Sequence, residues 1–167
     1  MDLVVVRHAI AGDREEWSRT GRPDAERPVT PEGRKRMQDN ARGLRSLASG
    51  LQVLATSPYT RAVQTAEILA VEYPDIEVVE VPALAHGEPP EAVRDWLGGR
   101  SERRIAVVGH EPDLGRLISW FVLGTSEPAI ALKKGGAALV RFAGAPDGGT
   151  GELRWLAPPK LLRGLGR

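Results

Sequence analysis

The stretch Leu3-Val4-Val5-Val6-Arg7-His8-Ala9 decides how the rest of the chain is read. Four consecutive apolar residues, three of them β-branched, show no polar alternation, which is the pattern of a strand covered on both faces. The run stops at Arg7 and His8, so this strand ends in chemistry rather than in a turn. A strand of that kind needs helices above and below it, and the sequence downstream supplies them.

Thr30-Pro31 reads as an N-cap followed by proline at the first helical position, and Met37, Ala41, Leu44 and Ala48 recur at helical spacing, predicting a helix over 31–48. Leu51 to Thr56 reads as a second strand. Ser57-Pro58 repeats the cap-plus-proline signal before a second apolar helical face of Ala62, Ala66, Leu69 and Tyr73. Glu77 to Val81 gives a third strand, Pro90 to Leu97 a short helix, and Arg104 to Val108 a fourth strand that ends at Gly109-His110. From Pro112 a fourth helix carries Leu114, Leu117, Ile118 and Phe121, and Ala137 to Phe142 with Glu152 to Leu156 reads as a hairpin. Trp96 and Trp120 fit the apolar faces of their helices and are assigned to packing. The charged stretch from Gly12 to Arg27 reads as a solvated connection. This alternation predicts an α/β fold, a three-layer α/β/α sandwich on a mostly parallel central sheet, in one domain over 1–167.

Composition narrows the function. Lys plus Arg number 23 against 22 Asp plus Glu, so the net charge of +1 offers no broad basic field for nucleic acid, and none is expected as a partner. The absence of cysteine excludes disulfides, thiolate metal sites and a cysteine nucleophile together. The opening apolar run is too short for a signal segment, and no 18-residue apolar run follows, so a cytoplasmic protein without a membrane partner is expected. A monomer is expected. The three histidines lie tens of residues apart, without an H-x-H or H-E-x-x-H spacing, and a site without metal or other cofactor is expected.

In parallel sheets ligands bind beyond the carboxyl ends of the strands, and that is where the informative polar residues fall. Arg7 and His8 follow the first strand, Ser57 and Arg61 open the helix after the second, and His110 follows the fourth. A helix's first turn presents free N–H groups to an anion, and two guanidiniums add forked donors that match phosphate oxygens. Imidazole in its neutral form is a competent nucleophile near neutral pH. The set reads as an anion cradle with a nucleophile inside it. His86, in the loop Ala85-His86-Gly87-Glu88, has no spacing that ties it to the others and is not assigned to the site.

These residues carry a resemblance. Val6-Arg7-His8-Ala9 resembles the R-H-G signature of the histidine phosphatase (phosphoglycerate mutase-like) superfamily, with Ala9 in place of the usual glycine. Pro28-Val29-Thr30-Pro31-Glu32-Gly33 is similar to its L-T-x-x-G segment, Ser57-Pro58-Tyr59-Thr60-Arg61-Ala62-Val63-Gln64-Thr65-Ala66 to its S-P-x-x-R-A-x-Q-T-A stretch, and Val108-Gly109-His110-Glu111-Pro112 to its second-histidine motif. The short chain, Ala9 and the tail Trp155-Leu156-Ala157-Pro158-Pro159 resemble the SixA phosphohistidine phosphatase branch.

The resemblance implies a phosphatase in which His8 attacks phosphorus and forms a phosphohistidine that water then hydrolyses. It implies that Arg7, Arg61 and His110 bind the phosphoryl oxygens, with Arg27 and Ser57 as further phosphate contacts, and that the arginines make magnesium unnecessary. The substrate it implies is phosphohistidine on a signalling protein. An imidazole leaves more readily than an alkoxide, so a dedicated acid is less necessary, and Glu88 is the candidate should one be used. The alternatives are a broad phosphomonoesterase acting on a small phosphorylated molecule, such as a sugar phosphate or nucleotide, and a non-catalytic phosphate-binding module.

Overall fold

The computed structural model describes residues 1–167. At its centre lies β1 (Asp2–Arg7), hydrogen-bonded on one side in parallel to β4 (Arg104–Gly109) and on the other in antiparallel to β5 (Ala137–Phe142). Beyond β4 follow β2 (Val53–Thr56) and then β3 (Glu77–Glu80), all parallel, and beyond β5 lies β6 (Gly151–Ala157), antiparallel. The sheet order is β3-β2-β4-β1-β5-β6, four parallel strands extended by a hairpin.

Successive residues of a strand face opposite sides, and β1 shows why its apolar run is unbroken. Val4 and Val6 enter a core of 21 buried residues, whereas Leu3 and Val5 enter a second core of 18, so the two faces are covered almost equally. On the first side lie α2 (Pro31–Leu47), α3 (Thr60–Ala70) and α6 (Pro159–Leu165), and on the second α4 (Pro90–Gly98) and α5 (Asp113–Leu123). This is a three-layer α/β/α sandwich. Trp96 and Trp120 pack against the second core. No helix is long and apolar enough to cross a membrane.

The structure departs from the periodicity reading in three places. The solvated connection from Gly12 to Arg27 also holds regular structure, α1 (Arg14–Ser18), capped by the Asp13 carboxylate accepting from the Glu16 N–H, and a 3-10 turn over Asp24–Glu26. Ser57 does not cap a helix; α3 begins at Thr60. The tail folds back as α6 onto α2, so closely that a side-chain carbon at Gly43 would collide with the Leu162 carbonyl. Thr30 does cap α2, its hydroxyl accepting from the Gly33 N–H at 2.9 Å, with Pro31 opening the helix.

Candidate active site

The backbone ladders run past the strand ends and carry the polar residues with them. The His8 N–H donates to the Gly109 carbonyl at 3.0 Å and the Ser57 N–H to the Val108 carbonyl at 2.9 Å, which aligns the ends of β1, β2 and β4. Above them lies a cavity of about 450 Å³ whose lining includes Arg7, His8, Arg27, Arg61 and His110. Five of the seven residues expected at the site from sequence therefore share one concave surface. Ser57 and Glu88 do not line it.

His8 and His110 face each other, with ring centroids 5.2 Å apart. The Nδ1 of His8 lies 2.7 Å from the Ala9 carbonyl, which can only accept, so the hydrogen is on Nδ1 and the lone pair on Nε2. Burial, with the charges of Arg61, Arg7 and Lys134 adding to it against the opposing Ala9 hydrogen bond, pushes the pKa of His8 down to about 3. The imidazole is neutral and available as a nucleophile at ordinary pH. His110 is likewise lowered to about 3, by burial first and then by His8, Arg61 and His86.

The cations are held from behind. Arg7 donates through Nη1 to the Leu132 carbonyl at 2.8 Å, and Leu132 is itself anchored, its N–H donating to Glu111 Oε1 at 2.9 Å. Arg61 donates through Nη1 to the Asp24 carbonyl at 2.8 Å and through Nη2 to Asp24 Oδ2 at 3.0 Å. Arg27 meets the other oxygen of Asp24 at 2.8 Å and the Gly12 carbonyl at 2.7 Å. Burial alone would raise the pKa of Asp24, but the hydrogen bond from Arg27 and the charges of Arg61 and Arg27 hold it below its ordinary value. Burial lowers both Arg7 and Arg61, opposed by Glu111 and Asp24 respectively. Lys134 is lowered by burial and by the surrounding arginines, a sign of how many cations crowd one void.

After this bracing, three buried side-chain atoms in the chain have no hydrogen-bond partner: Arg7 Nε, Arg61 Nε and His110 Nδ1. All belong to residues that line the cavity. An unmade bond at a buried polar group costs about 1–3 kcal/mol, so such groups mark a place kept for a ligand that accepts. The residues that carry these atoms line one cavity, and their cationic and imidazole groups suit an anion with several oxygens. No group of three or more His, Asp or Glu side chains is arranged to hold a metal ion.

Several residues of the motif segments act from outside the cavity. Ser57 bonds His110 Nε2 at 2.8 Å, which places it behind that ring rather than on the anion side. Thr65 accepts the Ala9 N–H at 2.9 Å, and Gln64 accepts the Val29 N–H at 2.8 Å, so one helix positions both the nucleophile's neighbour and the segment entering α2. Gly33 is required because a side-chain carbon there would strike the Ile10 carbonyl. Glu88 is exposed and faces a smaller adjoining cleft with Val93 and Asp113. The sequence reading missed Asp13, Arg14, His86, Glu111 and Lys134 on the lining and Asp24 beneath it. No periodicity marks these loop positions, and only closure in space brings them together.

A sequence model of the histidine phosphatase superfamily (branch 1) matches residues 3–87. An uncharacterized protein of the cyanobacterium Picosynechococcus sp. is 33% identical, with 97% of this chain and 99% of that protein aligned. Among solved structures, the protein histidine phosphatase SixA complexed with tungstate superposes with a TM-score of 0.79 at 22% identity, covering 96% of this chain and 98% of that one. A phosphoserine phosphatase from Entamoeba histolytica, in complex with 3-phosphoglyceric acid, superposes at 0.69 with 17% identity, over 96% and 98% of the two chains.

Proposed function

The chain belongs to the histidine phosphatase superfamily (branch 1) and is a phosphatase of that family; from this premise we propose that it works without metal, through a phosphohistidine on His8, on phosphohistidine of signalling proteins. The observation that carries the reading is the trio of unpartnered nitrogens, two of them guanidinium N–H donors, around a neutral imidazole. A phosphoryl group seated there places three oxygens against Arg7, Arg61 and His110, with phosphorus before His8 Nε2. Attack forms the P–N bond to His8 while the bond to the leaving group breaks, and water then attacks phosphorus and frees both phosphate and His8. The cationic wall stabilises charge in both steps, which is where such catalysis chiefly comes from.

The choice of substrate rests on the leaving group. An imidazole departs more readily than an alkoxide, and Glu88, the carboxylate considered as an acid, does not line the cavity. The fold likeness to SixA is in keeping with this choice. A second reading, a phosphomonoesterase of small molecules, is favoured by Arg14 and Lys134, cations beyond those that one phosphoryl group requires.

The test is hydrolysis of a phosphohistidine-bearing protein beside p-nitrophenyl phosphate and sugar phosphates, without added metal, by wild type and His8→Ala. Preference for the P–N bond, with turnover lost by about 10⁴-fold or more in His8→Ala, is the expected result. Faster cleavage of the esters would overturn the substrate assignment, and activity surviving in His8→Ala would overturn the mechanism.

A further inference from the structure

One imidazole on the cavity wall has no part in holding the phosphoryl group. His86, between β3 and α4, lines the cavity with its ring centroid 6.3 Å from that of His110. Its Nδ1 lies 2.6 Å from Oδ2 of Asp113, the first residue of α5, and the same oxygen accepts the Gly87 N–H at 3.1 Å. Two donors on one oxygen pin this loop to the start of α5, and Gly87, at φ 89°, supplies the left-handed turn the loop needs. The His86 side chain is 48% exposed while that of Asp113 is only 13% exposed, so the carboxylate is covered and the ring stays accessible. Arg116 stands 3.6 Å from the other Asp113 oxygen.

A carboxylate that accepts from Nδ1 fixes both the tautomer and the direction of an imidazole, leaving Nε2 for proton exchange, which is how histidine is prepared for general acid–base work. The two carboxylates on the wall are each tied to backbone. Glu111 Oε1 accepts from the Leu132 N–H, and Asp13 caps α1. We propose that His86, oriented by Asp113, is the general acid–base of this site, and that the site consequently takes oxygen-linked phosphate monoesters with poor leaving groups as well as P–N bonds. The proposal rests on His8 being the nucleophile. As His8 Nε2 bonds to phosphorus, the P–O bond breaks and the departing oxygen takes the proton from Nε2 of the His86 imidazolium. In the second step water gives a proton to the now neutral His86, its oxygen bonds to phosphorus, the His8–phosphorus bond breaks, and inorganic phosphate leaves.

The experiment compares dinitrophenyl phosphate, whose phenolate departs without help, with glycerol phosphate, whose alkoxide does not, in wild type, His86→Ala, Asp113→Asn and His8→Ala. In His86→Ala, kcat/KM on dinitrophenyl phosphate is expected to stay within about threefold of wild type while that on glycerol phosphate falls about 100-fold or more. The retained activity shows that the variant is folded. With the ester, Asp113→Asn, which keeps the side chain's size but loses the carboxylate that orients the His86 ring, should show the same leaving-group dependence in smaller degree, glycerol phosphate turnover falling more than dinitrophenyl phosphate turnover. Equal losses on both substrates, or none, would overturn the role of His86. If His8→Ala is inactive on both substrates and His86→Ala shows no leaving-group dependence, only this inference fails; if His8→Ala still turns over, the nucleophile assignment fails with it.

Discussion

The two ends of β1 do opposite things. At the amino end Asp2 accepts from Arg104 Nη2 at 2.8 Å on β4 and from Arg141 Nε at 2.7 Å and Nη2 at 3.0 Å on β5, and the terminal ammonium donates to the Phe142 carbonyl at 2.9 Å. The charges on Asp2 are met. At the carboxyl end Arg7, which ends β1, and His110, just past β4, each keep a buried nitrogen unpaired, as does Arg61 after β2. A sheet can be clamped wherever its backbone ladders converge. What makes one end a site is that its donors exceed its acceptors, and the missing acceptor is the ligand.

The sharpest way to break that comparison is to remove a donor from the open end. Arg61→Gln deletes an Nε–H that bonds nothing in the empty protein, so kcat/KM should fall about 10²- to 10³-fold, as for other donors aimed at developing charge. Stability, read from urea unfolding, should fall by only about 1–3 kcal/mol, because the two bonds to Asp24 are lost while Asp24 keeps Arg27. A large loss of stability with intact activity would mean that Arg61 is a clamp like Asp2 and not part of a cradle.

How much of this could be read beforehand divides along the same line. Leu3-Val4-Val5-Val6 predicts a strand covered on both faces, and the structure places its side chains alternately in the two cores. Arg7, His8, Arg61 and His110 are legible because strand ends in a parallel sheet meet by topology, whatever the loops do. Arg61 and Asp24 lie 37 residues apart and Arg7 and Leu132 lie 125 apart, and no periodicity links them. Helix α6 escaped notice because Lys160-Leu161-Leu162-Arg163-Gly164-Leu165 follows two prolines and is too short to be helical by propensity; its docking against Gly43 of α2 decides it. Ser57-Pro58 carried a true signal with another meaning, since the hydroxyl holds His110 instead of a helix end.

The closed end supplies the complementary variant. The hydrogen bond from Arg141, with Arg104 adding to it against burial, holds the Asp2 pKa at about 2 rather than 3.8. Asp2→Asn should therefore lower stability by about 2 kcal/mol at neutral pH, while kcat/KM stays within about twofold of wild type. Urea unfolding monitored beside turnover of p-nitrophenyl phosphate separates the two. Loss of activity without loss of stability would show that the two ends are coupled through β1.

A last comparison distinguishes the ends by pH alone. His8 and His110 have folded pKa values of about 3 against an ordinary 6.5, so as pH falls below 6.5 the unfolded chain takes up protons that the folded chain refuses. Stability contributed by the neutral cradle is whole above 6.5 and declines toward pH 3, by roughly 1 kcal/mol per pH unit for each imidazole. Asp2 is also depressed, but its window runs from 3.8 down to about 2, where the folded carboxylate is finally protonated. The pH dependence of urea unfolding should thus have two segments, the upper one reduced in His8→Ala and the lower one in Asp2→Asn. Tungstate should flatten only the upper segment, because an anion among the imidazoles favours their protonated forms. A tungstate effect confined to the lower window would place the anion at Asp2's end of the strand, where the Asp2 carboxylate already holds two arginines, and would undo the assignment of His8.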